Sequence, residues 1–512
     1  MKLNRRAALA GLAALCSLAP RPAPAQDASA PALTLYNQDF AVVRQTVPLT
    51  LRAGLNHVTV NDITVHVEPD SVILRDPTGQ RSLSIREQNY RADPLTQPLL
   101  LSLYEGQTIP FVTTRNNQTV TVMGRIIRSG YVPPDSSGFA DGQYYPGRYQ
   151  PNNDSPNAVV EVDGKIQFGL PGQPQFPALP NDTILKPTLD WTLDADKGGP
   201  LTAELAYVTG GMTWSAAYNI VAPETDTGTM DLVGWVTMEN QSGKTFPNAR
   251  IKLMAGDVSK LQPGTVRERA RQVFSFGGTF GGNPFPPVTE KTFDEYHLYT
   301  LQHPTTLRDQ ETKQVEFVRA GGISYKQIYV YDGSVIDPQR YNGYNYDSIR
   351  NDQSYGAQSN PKVAVMREFV NSLSNHLGMP LPAGRVRFYK QDSDRQLEFT
   401  GENQINHTPK DETLRIYTGN AFDLTGERTQ TDFKIMNSAT STLDESFSIT
   451  VRNHKTMPVE VRVVEHLYRG ATWTIPAHSR PFTKTDAHTI EFRVPIAPDA
   501  AQTLTYTAHY TW

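Results

Sequence analysis

Three stretches in the second half of the chain share one design, and that design restricts the fold more than any other feature. Each is a run of alternating apolar and polar residues, then an asparagine, a short polar turn and a second alternating run. The first covers residues 236–254 and turns at Asn240. The second is "AVMREFVNSLSNHLGMPLPAGRVRFYK", with Asn371 at the end of its first run. The third is "FSITVRNHKTMPVEVRVVEHL", with Asn453. Alternation with period two places apolar side chains on one face of a strand. An asparagine at a strand end bonds its side chain to nearby backbone and tolerates left-handed φ. Hairpins of this kind are common units of immunoglobulin-like sandwiches. The polar patch Asn240-Gln241-Ser242-Gly243-Lys244 therefore reads as a turn rather than a catalytic loop. In the second copy a helix competes, because Val365, Met366, Phe369, Val370, Leu373 and Leu377 fall at helical spacing with Gly378 as a stop. Likeness to the other two copies favours the strand.

The same alternation begins early. "LTLYNQDFAVVRQTVPLTLRAGLNHVTVNDI" predicts strands with a turn at Ala53-Gly54-Leu55-Asn56, and strands are expected over residues 33–88. Residues 98–193 hold further short strands of the kind that close a small barrel. Between them residues 131–157, rich in Pro, Gly, Tyr and Asn, predict an exposed loop. From about residue 200 to 512 the pattern is again β. Residues 274–287 ("FSFGGTFGGNPFPP") and 338–360 ("PQRYNGYNYDSIRNDQSYGAQSN") interrupt it without periodicity. Disordered tips are the default for such stretches, and sticky binding surfaces are the alternative. The expectation is a mostly β chain: an N-terminal β domain over 26–97, a small β-barrel-like domain over 98–199, and a large immunoglobulin-like β-sandwich region over 200–512. The 38 Pro, 36 Gly, 23 Tyr and 20 Phe among 512 residues agree with many strands and turns.

The first 25 residues read as a leader. Lys2, Arg5 and Arg6 precede a largely apolar stretch at 7–18, and Ala23-Pro24-Ala25 fits a small-x-small cleavage site. This predicts a signal peptide and a periplasmic or extracellular protein, with Arg5-Arg6 fitting the twin-arginine route. Removing residues 1–25 takes away four positive charges and no acidic one, so the formal charge goes from −4 to −8. It also removes Cys16, the single cysteine, leaving no disulfide, thiol nucleophile or Cys-bound metal. A mildly acidic chain with scattered charge is a poor nucleic-acid binder. No second apolar run of about 18 residues is present, so no transmembrane span is expected.

The usual catalytic signatures are missing: no G-x-S-x-G elbow, no phosphate-binding loop, no H-E-x-x-H and no dinucleotide-binding glycine pattern. Three polar clusters are the candidates for chemistry. Glu402, His407 and Asp411, with Lys410 and Glu412 beside them, place an imidazole among carboxylates, as acid–base catalysis or metal binding requires. A polar connection turning at Thr408-Pro409 is the plainer reading. Glu295 and His297, with Asp294 before them, would face one side of a strand as half of a metal site, or stand as a solvent-facing row. Asp194 and Asp196 before Gly198-Gly199 are a fragment of a calcium-loop pattern that has no closing glutamate. No cofactor is expected. Carboxylate pairs for glycoside hydrolysis are set by spatial rather than sequence spacing and stay open. Of the tryptophans, Trp214 and Trp235 lie in strand-like runs where core packing is the simpler reading, and Trp191, Trp473 and Trp512 stand with them as candidates to stack on sugars.

"LAYVTGGMTWSAAYNI", "LVGWVTMENQSGKTFPNARIKLMAGDV", "EYHLYTLQHPTTLRDQETKQVEFV", "GMPLPAGRVRFYKQDS", "FTGENQINHTPKDETLRIYTGNAFDL" and "VRNHKTMPVEVRVVEHL" together resemble the domain of unknown function at the C-terminus of mucoidy inhibitor A-like proteins. The resemblance covers about residues 200–512. It implies an envelope or secreted protein with a β-sandwich C-terminal domain, and it brings no catalytic residues with it. Those proteins resemble a β domain split by a coiled coil, whereas residues 26–199 show no heptads. Two functions follow as expectations. The first is a non-enzymatic binding or scaffolding protein of the cell envelope, partnering an envelope protein or polysaccharide, whose long loops are dispensable for folding but not for partner capture. The alternative is a hydrolase acting on envelope or extracellular polysaccharide.

Overall fold

The structure is a computed structural model that describes residues 30–92, 95–115, 117–131, 157–179, 184–225, 227–256, 258–260, 288–293, 295–437 and 441–512. The leader with Cys16, residues 132–156 of the first long loop, the 274–287 loop and Asp294 lie outside them. About 63% of the described residues are strand and 5% helix, in several sheets, so the fold is mostly β. Among the described residues no helix is long and apolar enough to cross a membrane.

The threefold pattern becomes a threefold topology. In each copy a strand runs up to the asparagine: Thr229–Asn240, Lys362–Val370 and Ser441–Asn453. The strand after the turn pairs in parallel with one from earlier in the chain. Phe246–Ala255 lies beside Ala32–Tyr36, Gly384–Gln391 beside Met212–Ala222, and Val459–His466 beside Lys326–Asp332. A third strand returns antiparallel to that one: Tyr296–Leu301, Leu397–Ile405 and Thr489–Ile496. A fourth then pairs antiparallel with the asparagine strand: Glu311–Ser324, Thr413–Asn437 and Ala500–Thr511. Parallel pairing needs a crossover: the first leads from the N-terminal strand Ala32–Tyr36 into the first copy, the second spans the first copy and the third spans the second. The 25-residue strand Thr413–Asn437 serves two copies, pairing first with Lys362–Val370 and then with Ser441–Asn453.

Alternation decides the cores. The burial pattern of Thr229–Asn240 is strictly alternate, and that of Ser441–Asn453 nearly so. One apolar core runs from Leu33 to Ile416 and includes Trp191, Trp214, Tyr218, Phe317 and Phe388. A second, from Tyr331 to Tyr510, lies within the nine-stranded sheet, which curls so that Phe492 and Tyr506 meet with ring centroids 5.7 Å apart. The helical alternative for the second copy loses. Lys362–Val370 is hydrogen-bonded on both sides, by Lys326–Asp332 and Thr413–Asn437, and only a 3-10 turn at Leu373–Asn375 keeps a helical character.

The expected barrel does not close. Strands Thr108–Arg115, Gln118–Arg128, Val159–Val162 and Lys165–Phe168, with Gln173–Pro174 at the far edge, make an open five-stranded sheet around a small core of Leu101, Phe111, Ile126 and Val160. Its two edge strands are four and two residues long, too short to meet. The strand Thr188–Ala195 is not part of it and pairs instead with Gly54–Asn61 and Leu83–Arg91. Phe40–Leu51 pairs with Gly199–Gly210 along its whole length, so early and later strands share one eight-stranded sheet.

Candidate functional site

The three asparagines are fully buried. The Asn240 amide donates to the carbonyls of Lys244 (2.8 Å), Leu307 (3.3 Å) and Arg308 (3.0 Å). Asn371 donates to Met379 (2.8 Å), Thr408 (3.4 Å) and Pro409 (2.9 Å). Asn453 donates to Met457 (2.9 Å), Ile496 (3.4 Å) and Ala497 (3.0 Å). In each copy one acceptor is in the asparagine's own turn and two are consecutive residues where the fourth strand is about to begin. The side-chain oxygen accepts a backbone N–H in return, from Ser242, Gly378 or Lys455. These are braces for the corner of the fold, with no group left over for chemistry. Lys244 extends the first brace. Its side chain is 10% exposed, its ammonium donates to the Asp62 carbonyl and to Gln45 at 3.0 Å, and burial lowers its pKa. Gly211 at φ 75° packs against the same corner, where a Cβ would lie 2.9 Å from the Gln241 carbonyl oxygen.

The polar clusters singled out by sequence are engaged in local pairs. Glu402 is exposed and 3.6 Å from Arg387. His407 is exposed and its Nδ1 accepts the Ala383 N–H at 3.2 Å. Asp411 sits at φ 66°, 3.9 Å from Lys410, and its N–H donates to the Asn371 carbonyl, so this connection supports the second brace. Glu295 lies in a turn ahead of the strand Tyr296–Leu301. The partner of His297 is Glu290, across the hairpin at 2.7 Å. Asp194 pairs with Arg86 at 2.6 Å and Asp196 accepts the Ser82 N–H. Among the described residues no group of three or more His, Asp or Glu side chains is placed to hold a metal ion. Trp191 and Trp214 are core residues, with ring N–H groups bonded to Gln88 and to the Met254 carbonyl.

The largest concentration of buried charge lies elsewhere, in the nine-stranded sheet. Arg428 and Glu465, 2% and 0% exposed, form a pair with both carboxylate oxygens 2.9–3.0 Å from Arg428 Nε. The Tyr506 hydroxyl donates to the same carboxylate. Complete burial pushes the Glu465 carboxyl up, against the pull of Arg428 and Tyr506, and burial beside that carboxylate keeps Tyr506 protonated well above its ordinary range. Arg469, 1% exposed, holds Glu445 at 2.9 Å. What these groups do with their remaining valences defines the site. Arg469 donates to the carbonyls of Ile349, Asp352 (2.7 Å) and Tyr355 (2.9 Å), Arg428 to Gly356 (2.7 Å), and Gln430 to Gln353 (3.1 Å). All five acceptors belong to the aperiodic stretch read from sequence as a disordered tip.

That stretch is ordered, and its order comes from side chains. Asn345 caps a helix at Tyr346–Asn351, bonding the Ser348 N–H at 2.9 Å. Asp337 and Asp352 close turns by accepting the N–H of Gln339 and Ser354. Tyr341 is buried, donates to the Ser354 carbonyl and packs edge-on against Tyr344 and Tyr355, with Tyr468 beneath Tyr355. The outward face keeps Tyr346 (69% exposed), Tyr344 (38%) and Trp512 (36%), with the Arg350 guanidinium between the Tyr346 and Trp512 rings at 5.8 and 4.7 Å. Tyrosine, tryptophan and arginine on a rigid backbone are the residues that dominate protein interfaces. A signal for the anchors was present. Glu445 falls in phase with Leu443, Phe447 and Ile449, and Glu465 with Val461 and Val463, so both are charges at core positions of their strands.

The profile of a family described as "Domain of unknown function (DUF4139)" matches residues 203–512, which contain all three asparagine braces and the whole charge network. No curated protein and no solved structure matches the chain.

Proposed function

The chain belongs to the DUF4139 family, and on that premise we propose that it is an exported, non-enzymatic binding or scaffolding protein of the cell envelope, with the insertion at residues 337–360 as its docking surface. One observation carries this reading: two buried arginines and a glutamine are committed to fixing the backbone of a tyrosine-rich segment whose outer face stays open. Pre-ordering a surface removes the entropy cost of ordering it on binding. Export rests on the arginine-led apolar start and the Ala23-Pro24-Ala25 site. The closer kinship with mucoidy inhibitor A-like proteins is part of the proposal and rests on the six ordered motifs. The hydrolase alternative would need Glu402, His407 or Asp411 to act on a sugar chain, and the partners seen for these groups give it no specific support. Because deleting the insertion would strip the buried arginines of their acceptors, the test uses surface substitutions. Tyr344→Ala, Tyr346→Ala and Arg350→Ala combined should leave the chain folded: the two tyrosines are exposed, and Arg350, 19% exposed and bonded to the Arg469 carbonyl at 3.2 Å, adds a loss of about 1 kcal/mol. Capture of a partner cross-linked to the wild-type protein in cells should fall at least about tenfold, as loss of interface hot spots does. Undiminished capture by the folded triple variant would refute the docking role.

A further inference from the structure

The outer face of the nine-stranded sheet has two halves of different chemistry. One half is a charged lattice in which Arg415 and Arg462 share Glu368, and Arg493 bridges Glu460 and Glu491. Arg462 and Glu491 are largely covered within it, their side chains 7% and 11% exposed. The other half, on Thr413–Asn437, Ser441–Asn453 and Ala500–Thr511, carries hydroxyls. Thr429, Ser448 and Thr505 stand in one row across the three strands. Ser446 and Thr507 form the next pair with hydroxyls 2.8 Å apart, and Thr450 and Thr503 repeat the arrangement at 2.8 Å on the other side. The pairs Arg452–Glu427 and His509–Asp444 bound the patch at its two ends.

Within this patch lies a hollow of about 400 Å³ whose wall is mainly polar, formed by Thr431, Ser446, His478, Ser479, Thr505 and Thr507, with Phe447, Ala477 and Tyr506 completing it. Two strand irregularities make it. The register shifts between Gln430 and Asp432, which brings Thr431 to the rim, and again between Thr474 and Ala477, which sets His478 and Ser479 along the opposite wall. Bulges that re-aim side chains recur beside binding sites. The lining holds no carboxylate, lysine or arginine, and the His478 ring is tied through Nδ1 to the Arg480 carbonyl at 2.9 Å. A charged ligand would find no counter-charge there. An apolar ligand would desolvate hydroxyls without replacing their hydrogen bonds, which is unfavourable. Hydroxyls that both donate and accept match a ligand with the same property, and the volume is in the range of small-molecule sites.

We propose that this hollow binds a neutral, polyhydroxylated ligand, namely a chain of uncharged sugars. The site lies on the outer face of the sheet, does not include the 337–360 insertion, and does not depend on the docking role given to it. The test is saturation-transfer NMR on the purified full chain with cellohexaose, laminarihexaose and maltohexaose, and with hexagalacturonate as the charged counterpart. The expected result is transfer to at least one neutral hexaose and none to hexagalacturonate. Ser446→Ala combined with Thr507→Ala should weaken that binding by about tenfold, the effect of losing two ligand hydrogen bonds. Thr450→Ala combined with Thr503→Ala deletes an equivalent hydroxyl pair outside the hollow and should leave binding unchanged. Absence of transfer to every neutral hexaose, preference for hexagalacturonate, or equal loss in both double variants would each overturn the proposal.

Discussion

Replacing Arg469 by methionine separates what the buried charge does for the fold from what it does for the insertion. The side chain is 1% exposed and makes two kinds of contact, an ion pair with Glu445 and hydrogen bonds to the carbonyls of Ile349, Asp352 and Tyr355. Arg469→Met leaves Glu445, itself 5% exposed, without its cation. Breaking one partner out of a buried pair costs about 3–5 kcal/mol. The carbonyls are then orphaned. Kept buried they would cost about 1–3 kcal/mol each, whereas reaching water costs little, so the segment 345–356 should leave its seat. Chemical denaturation should show a loss of about 3–5 kcal/mol. Hydrogen exchange should show amides of 346–356 losing protection relative to the core strands. The double variant Arg469→Met with Glu445→Met sharpens the test. It removes the stranded carboxylate and should recover most of the global loss, because apolar replacements of buried pairs are often neutral. It supplies no donor to the insertion, which should stay unprotected. If 346–356 keeps its protection in either variant, Arg469 is not the residue that holds the insertion in place, because Arg428 and Gln430 still donate to Gly356 and Gln353.

Three further outcomes follow from the same physics. Asn240→Asp, Asn371→Asp and Asn453→Asp should each destabilise by about 2–4 kcal/mol, because a carboxylate has no N–H to give to the three carbonyls it replaces; a midpoint in urea equal to wild type would refute the brace. Asp39, pushed up to about 6 by burial and by Glu239 against the pull of Lys260, is an acid whose folded pKa lies above its unfolded value near 4. Its contribution to stability is full below about pH 4 and is lost as pH rises through about 6; Asp39→Asn should therefore stabilise by roughly 1–2 kcal/mol at pH 7.5 and change nothing at pH 4, and Asn suits the φ of 60°. For His466 the hydrogen bond to Asp332, 2.8 Å away, raises the pKa against the effect of burial. That stabilisation is present below about pH 6.5 and lost as pH rises through the raised folded value, and with Asp332 about half exposed it amounts to about 1 kcal/mol or less; Asp332→Asn should abolish this slope in pH-dependent melting curves.

The parts of the fold written locally were legible. Period-two alternation located the strands, and the three asparagines marked the corners, because a buried amide that needs three acceptors leaves a residue type at a fixed place in each repeat. Parallel pairing was not legible, since Phe246–Ala255 and Ala32–Tyr36 are joined across two hundred residues with no local trace of the match. The barrel was over-read from strands whose edges are too short to close. The insertion was missed for a physical reason. Its order comes from side chains hundreds of atoms away in sequence, Arg428 and Arg469, satisfying backbone that has no apolar periodicity of its own. The histidine at 297 was recognised, but its partner sat at 290, on the facing strand of a hairpin rather than two residues away.

The most direct test of the docking surface is site-specific photo-cross-linking in intact cells with a benzoylphenylalanine placed at Tyr346, 69% exposed on the insertion, and at Met457, 59% exposed in the turn of the third brace. A discrete adduct is expected from position 346 that is absent from position 457 and disappears when Arg469→Met releases the insertion. Adducts that are the same from both positions, or that persist in the Arg469→Met protein, would contradict the docking role.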